Sequence, residues 1–239
     1  MLLSVGNTTE RVREDSVKKI KITTIITASL ICIIFFLFIK TGMQIHWTAR
    51  LVEAIQSENE QDVKKILNEK FLGVPYDVNN KEFQIFPLSL FKELEKELPL
   101  VCACETENFD IVCMLVESGA DVNKTLEGHF SPLETALLSF NYASCWEETY
   151  QVVELLVQHG ADIEQITFDN YSMYELCAGM LPYDGEVYSE EMEKQILEIY
   201  ILLNDNGKNG EKYRSLSLEQ AQQADNEMLA DYLLKVKIR

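Results

Sequence analysis

A chain of 239 residues with five Pro, ten Gly and 47% apolar residues has room for one globular domain and an appendage, and is too poor in Pro and Gly to be fibrous or disordered. Residues 1–40 hold six Lys/Arg against three Asp/Glu, which leaves 15 against 36, a balance of −21, for residues 41–239. So acidic a body repels phosphate backbones and excludes a nucleic-acid binder.

Residues 1–21 form a short polar tail with Arg11, Arg13, Lys18, Lys19 and Lys21. Residues 22–39 (ITTIITASLICIIFFLFI) are 18 in a row without charge. As a helix they extend roughly 27 Å, close to the hydrocarbon thickness of a bilayer. Their Thr and Ser hydroxyls can bond back to the helix backbone. A cleavable signal peptide would need small residues at −3 and −1, but Ala49 follows Trp47 and Gly42 follows Lys40. A buried core helix would carry a polar face, and this run has none. The run is read as a single uncleaved transmembrane helix, followed by a juxtamembrane linker over 40–50 that places Trp47 at the membrane interface. Five Lys/Arg precede it and only Lys40 and Arg50 follow closely, which predicts a cytoplasmic N-terminus and an extracytoplasmic body. Cysteine-bearing bodies are more usual inside the cell, so the opposite orientation stays open.

From residue 51 the pattern becomes helical. Leu51, Ala54, Ile55, Val63, Ile66 and Leu67 fit a helix pair with a charged outer side (Glu58, Glu60, Lys64, Lys65, Glu69), as a terminal unit of a stack requires. Asp77-Val78-Asn79 ends it after a Gly/Pro detour at Leu72–Tyr76, and Phe86–Leu98 is read as an extra turn of helix. Leu98–Asn123 then holds two short apolar faces at helical spacing, Leu100, Ala103 and Cys104 in the first and Ile111, Val112, Leu115 and Val116 in the second. Pro99 suits a first helical turn and Gly119 a left-handed C-terminal cap. Ser131-Pro132-Leu133 restates Leu98-Pro99-Leu100 after 33 residues, and Gly160-Ala161-Asp162-Ile163 restates Gly119-Ala120-Asp121-Val122 after 41, or 33 plus an insertion of 8. Ser172-Met173-Tyr174 opens a further pair, which Gly207 closes, and Leu218, Ala221, Met228, Leu229, Leu233 and Leu234 form the inward face of a last one.

This pattern resembles the ankyrin repeat, with its 33-residue period, Pro-Leu opening and Gly-Ala-Asp close. The resemblance implies an all-α, ankyrin-type helix-turn-helix solenoid preceded by the single transmembrane helix. Its repeat domain would cover 51–239, clearest at 98–130 and 131–171, with degenerate pairs at 51–80, 172–210 and 216–237. It also implies a scaffold that binds another protein along its concave face and turn tips.

No catalytic constellation can be assembled, and the reading is of a non-enzyme without cofactor, metal or small-molecule substrate. His46, His129 and His159 are scattered. Cys102, Cys104 and Cys113 lack a fourth ligand and zinc spacing, so packing is the better account of them. Glu93, Glu95 and Glu97 read as a solvated helix face, and Asp121 and Asp162 as local turn bonding. Two surfaces offer aromatic anchors for a partner protein. The inter-helix insertions Asn141–Glu148 and Leu181–Glu191 carry Tyr142, Trp146, Tyr183 and Tyr188, set side by side by stacking. The turn tips Lys124–Ser131 and Gln165–Ser172 carry His129 and Phe130, and Phe168, Asn170 and Tyr171. Against this, Phe130, Phe168 and Trp146 could fold under to cover their own repeats. The alternative function is an acidic inhibitor or regulatory partner of a basic-faced enzyme or toxin.

Overall fold

The computed structural model describes residues 3–79, 98–106, 108–126, 128–140, 146–167, 169–180 and 189–235. All but Leu98 of the expected extra turn of helix at Phe86–Leu98, most of both inter-helix insertions and Glu93, Glu95 and Glu97 lie outside them. The chain forms two compact units, residues 1–46 and 47–239.

Helix α1 (Leu3–Gln56) supplies the first unit and opens the second. It contains the one helix segment, among the described residues, long and apolar enough to cross a membrane. The apolar side chains of residues 22–39 are uncovered all round, with Ile25 and Phe35 both 65% exposed. Thr23 donates to Lys19 O, Thr27 to Thr24 O and Thr41 to Leu37 O, each at 2.9 Å, so these hydroxyls are satisfied within the helix. Residues 40–50 are helical throughout.

The second unit is built of paired helices. The last turns of α1 pair with α2 (Glu60–Leu67), α3 (Pro99–Glu105) with α4 (Phe109–Glu117), α5 (Pro132–Ser139) with α6 (Trp146–Gln158), α7 (Met173–Ala178) with α8 (Glu190–Asn206), and α9 (Gly210–Gln223) with α10 (Glu227–Lys235). First helices pack on first helices, α3 on α5, α5 on α7 and α7 on α9; second helices do the same from α2 through α4, α6 and α8 to α10. Helices of six to nine residues, such as α3, α4 and α7, are too short to persist alone, so packing holds them. The expected inward faces are the core: Ile111, Val112 and Leu115 have no exposed surface, nor have Leu51, Ile55, Val63 and Ala103. In the last pair Ala221, Leu229 and Leu233 are buried, but Leu234 is 61% exposed, because no described element packs over it.

Trp47 departs from its expected place at a membrane interface. It is 2% exposed, its ring stacks on Tyr76 with centroids 5.2 Å apart, and its indole N–H donates to Ile66 O at 2.8 Å. A buried indole needs such a carbonyl partner. Beside it the Arg50 guanidinium grips both Glu69 carboxylate oxygens at 2.8 and 2.9 Å.

Two second helices, α4 and α6, end alike. At α4 the Gly119 N–H reaches Val116 O and the Ala120 N–H reaches Leu115 O, both at 3.0 Å, with Gly119 at φ +88°. This double closure satisfies the last carbonyls and requires the left-handed residue. Gly160 (φ +85°) repeats it at α6. Gly207 closes α8 as expected, its N–H on Leu203 O at 2.8 Å, but in extended backbone (φ −92°, ψ 176°); space requires glycine there, since a Cβ would lie 1.8 Å from Tyr174 Oη. First helices α5 and α7 begin with reciprocal caps, Ser131 with Glu134 and Ser172 with Glu175, which explains two buried glutamates.

A polar ladder joins consecutive turns. Asn79 Oδ1 accepts from the Asp121 N–H at 2.7 Å while its Nδ2 donates to Gly119 O at 2.8 Å. Asn123 does the same one pair later, accepting from Asp162 N at 2.7 Å and donating to Gly160 O at 2.9 Å. Asp77, Asp121 and Asp162 each accept from the N–H two residues on, as expected of local turn bonding. In the third turn Glu164 replaces the asparagine. Its carboxylate accepts from the N–H groups of Lys208 and Asn209, from the Asn209 amide and from the Tyr174 hydroxyl. Partial burial pushes the Glu164 pKa up, but these four donors outweigh it and leave it below the ordinary value.

Leu115→Ala should cost roughly 2–5 kcal/mol of unfolding free energy, because the cavity lies between packed pairs; denaturant titration measures it, and a loss under about 0.5 kcal/mol would contradict this core. For Glu164, a depressed folded pKa means stabilisation present above the unfolded pKa and lost as pH falls through the folded one. Hydrogen-exchange protection of the Lys208 and Asn209 amides, corrected for intrinsic rates, should fall over that acidic window. Glu164→Gln should remove the pH dependence, and equal slopes in both proteins would show that another group carries it.

Candidate protein-binding surface

Both turn tips are tight and built by the same register. In the first, the His129 N–H bonds Leu126 O at 3.0 Å; in the second, 41 residues on, the Asn170 N–H bonds Thr167 O at 3.0 Å. The second is further fixed by Thr167 N–H to Tyr171 O at 2.8 Å, by Tyr171 N–H to Thr167 Oγ1 at 2.9 Å and by an antiparallel bridge between Ile166 and Ser172. Asn170 takes the left-handed φ of +64° that asparagine tolerates well. Each tip then enters a capped first helix at Ser131 or Ser172.

This register puts Phe130 and Tyr171 at equivalent positions, immediately before the cap. They are 38% and 43% exposed, so Phe130 is not folded under its repeat. His129 and Asn170 are exposed beside them. Ile166, 43% exposed, extends the second tip; it was not singled out in the sequence, although an apolar residue inside a polar tip was its available signal. Phe168 lies outside the described residues.

The insertion surface is described only at its edge. Tyr142, Tyr183 and Tyr188 lie outside the described residues, and Trp146 is the first residue of α6 rather than part of a loop. Glu147 and Glu148 follow it in the first helical turn, where acidic side chains complement the helix dipole. Along α6 and α8 the carboxylates gather: burial raises the Tyr150 pKa, and the charges of Glu154, Glu198 and Glu147 raise it further. Lys194 on α8 offsets part of this charge, its Nζ 3.9 Å from Glu191 and 3.8 Å from Glu198.

No cluster of three or more metal-ligating side chains occurs among the described residues. Cys102, Cys104 and Cys177 are buried, and burial pushes the Cys104 and Cys177 thiols far up, which suits packing groups better than nucleophiles. His159 caps its own helix, its Nδ1 2.8 Å from Leu155 O.

Residues 96–125 match the family model of the ankyrin repeat, the stretch that contains α3, α4 and the turn closed by Gly119. No curated protein matches the chain.

Because Phe130 and Tyr171 are partly exposed ahead of rigid caps, the double substitution Phe130→Ala/Tyr171→Ala should lower stability by no more than about 1 kcal/mol. Thermal unfolding measures this, and a loss of roughly 3 kcal/mol or more would make both rings core residues.

Proposed function

We propose that this ankyrin repeat protein is a non-enzymatic, membrane-tethered scaffold that holds a partner protein at a membrane surface. Ile22–Ile39 is its single span, and the five helix pairs from Trp47 onward are one ankyrin-type solenoid. The observation that carries the binding role is the register of the tips: Phe130 and Tyr171, 41 residues apart, stand exposed at equivalent positions, flanked by His129 and Asn170. Aromatic side chains on rigid turns lose little entropy on docking and make strong anchors. The insertions with Tyr142, Trp146, Tyr183 and Tyr188 are the competing surface. The excess of Lys/Arg before the span supports a cytoplasmic N-terminus with the repeats on the other side.

A second reading is favoured by the acidic face around Tyr150. There the chain would act as an inhibitor or regulator of a basic-faced enzyme or toxin. Steering of that kind shows as an association rate that falls steeply with salt.

Capture from a mild-detergent extract of the full chain's own cells tests both. The double substitution at Phe130 and Tyr171 should weaken capture of the recovered partner by about 1–2 kcal/mol or more, with the melting temperature held. Loss of capture only on substituting Trp146 and Tyr183 would move the site to the insertions. Carbonate extraction should leave the chain in the membrane; a soluble product beginning after Ile39 would refute the anchor. An alkaline phosphatase reporter after Arg239 should be active, and an inactive one would place the repeats in the cytoplasm.

A further inference from the structure

Between α2 and its closing turn the chain makes an excursion that the later pairs do without. From the end of α4 at Glu117 to Asp121, and from the end of α6 at Gln158 to Asp162, the path is four residues; from the end of α2 at Leu67 to Asp77 it is ten. Asn79 nevertheless enters the ladder normally, so the added residues are not needed to close the turn. They form a two-stranded hairpin, β1 (Lys70–Phe71) paired antiparallel with β2 (Val74–Pro75), Phe71 opposite Val74. Its two-residue loop has φ +50° at Leu72 and +81° at Gly73. Positive φ at both loop residues is the requirement of a type I′ turn, which asks for Asn, Asp or Gly where leucine stands.

Leucine here is strained by its backbone and rewarded by no contact that would hide it. At 76% exposed, Leu72 is the most exposed large apolar side chain described, and Val74 is 58% exposed. Single exposed apolar residues are ordinary, but a strained one at the tip of an added hairpin points to use. The local charge is equally particular. In a body with a balance of −21, residues 70–76 (KFLGVPY) contain Lys70 and no acid, and Lys64 and Lys65 are exposed on the preceding helix. The base of the hairpin is rigid, through Tyr76 stacked on Trp47 and Glu69 held by Arg50. Trp47, which packs at that base, stands only eight residues after Ile39 in the sequence.

We propose that the Lys70–Pro75 hairpin is a second membrane contact, with Leu72 and Val74 entering the boundary between lipid headgroups and acyl chains and Lys70 lying among anionic headgroups. It rests on the reading of Ile22–Ile39 as a span. The chemistry fits a lipid surface: a small apolar wedge with Lys70 beside it, and no carboxylate between Glu69, which Arg50 neutralises, and Asp77. The acidic remainder of the unit is repelled by the same surface, so the contact is confined to the hairpin and the rest of the unit stays free for a partner.

The test uses the full chain in vesicles of phosphatidylcholine and phosphatidylglycerol, with a photoreactive benzophenone amino acid at position 72 and, as a control, at the exposed position 219. Flotation comes first: a chain that fails to float refutes the span itself. In floated chain, the lipid-adduct yield at position 72 should exceed that at 219 by about fivefold or more. Equal yields, or adducts at 72 to another protein or a second copy in place of lipid, would overturn the proposal. Leu72→Asn supplies the second arm. It should raise the melting temperature by relieving the turn, and lower the lipid-adduct yield of a probe at position 74 by about threefold. An unchanged yield, or a lowered melting temperature, would mean that Leu72 serves the fold and not the membrane.

Discussion

Asn79 and Asn123 each reach forward to the next turn and bind both its N–H and its carbonyl. That two-point bond sets the spacing of everything else in the second unit. Apolar packing alone is non-directional and would tolerate a slipped or rotated neighbour. A side-chain amide that must satisfy one donor and one acceptor on the following turn allows a single offset. With turns fixed relative to one another, the first helices stack as one row and the second helices as another, and each short helix finds the apolar face it needs.

The ladder changes chemistry where the chain changes shape. After Asp162 the third turn offers Glu164, one methylene longer and charged, to a connection that differs from the earlier ones. The glutamate gathers two backbone N–H groups, an amide and a phenol, and Gly207 leaves the room that Tyr174 needs. Around it, aromatic packing takes over from aliphatic: Tyr174 lies against Tyr200 and Tyr213, and Tyr200 against Tyr232, with centroids 6.0–6.4 Å apart. The last pair is also tied by Arg214, whose guanidinium caps α10 at Leu233 O, and by Glu193, which accepts from the Met228 N–H at 2.8 Å. A terminal pair lacks a neighbour on one side, and these polar bonds compensate for the missing apolar contact.

Rigid turns and short first helices leave the tips and the added hairpin as the places where exposed apolar groups can be held in fixed positions. Phe130 and Tyr171 precede caps that are internally satisfied, so they need no partner to keep their geometry. Leu72 and Val74 stand on a hairpin whose base is locked to Trp47 and Arg50. The tips and the hairpin all lie on connections that lead out of a second helix.

Much of this was legible in the chain itself. Helical spacing alone selected Ile111, Val112 and Leu115 as core, and the recurrence of Gly-Ala-Asp located Gly119 and Gly160 at left-handed caps, because helical period and positive φ are local demands on local residues. The same held for the apolar run at 22–39, where length and lack of charge need no tertiary context. Other features depended on residues distant in sequence. Trp47 read as an interface aromatic, yet Ile66 O and Tyr76 take it into the core. Gly207 read as a cap, yet it is glycine because Tyr174 leaves no room for a side chain. Asn79 and Asn123 looked like turn residues, while their main bonds go forty residues onward. The exposure of Leu72 could not be read from its hydrophobicity, which by itself argues for burial. Only the hairpin's geometry, with no described element over its tip, decides that it faces outward.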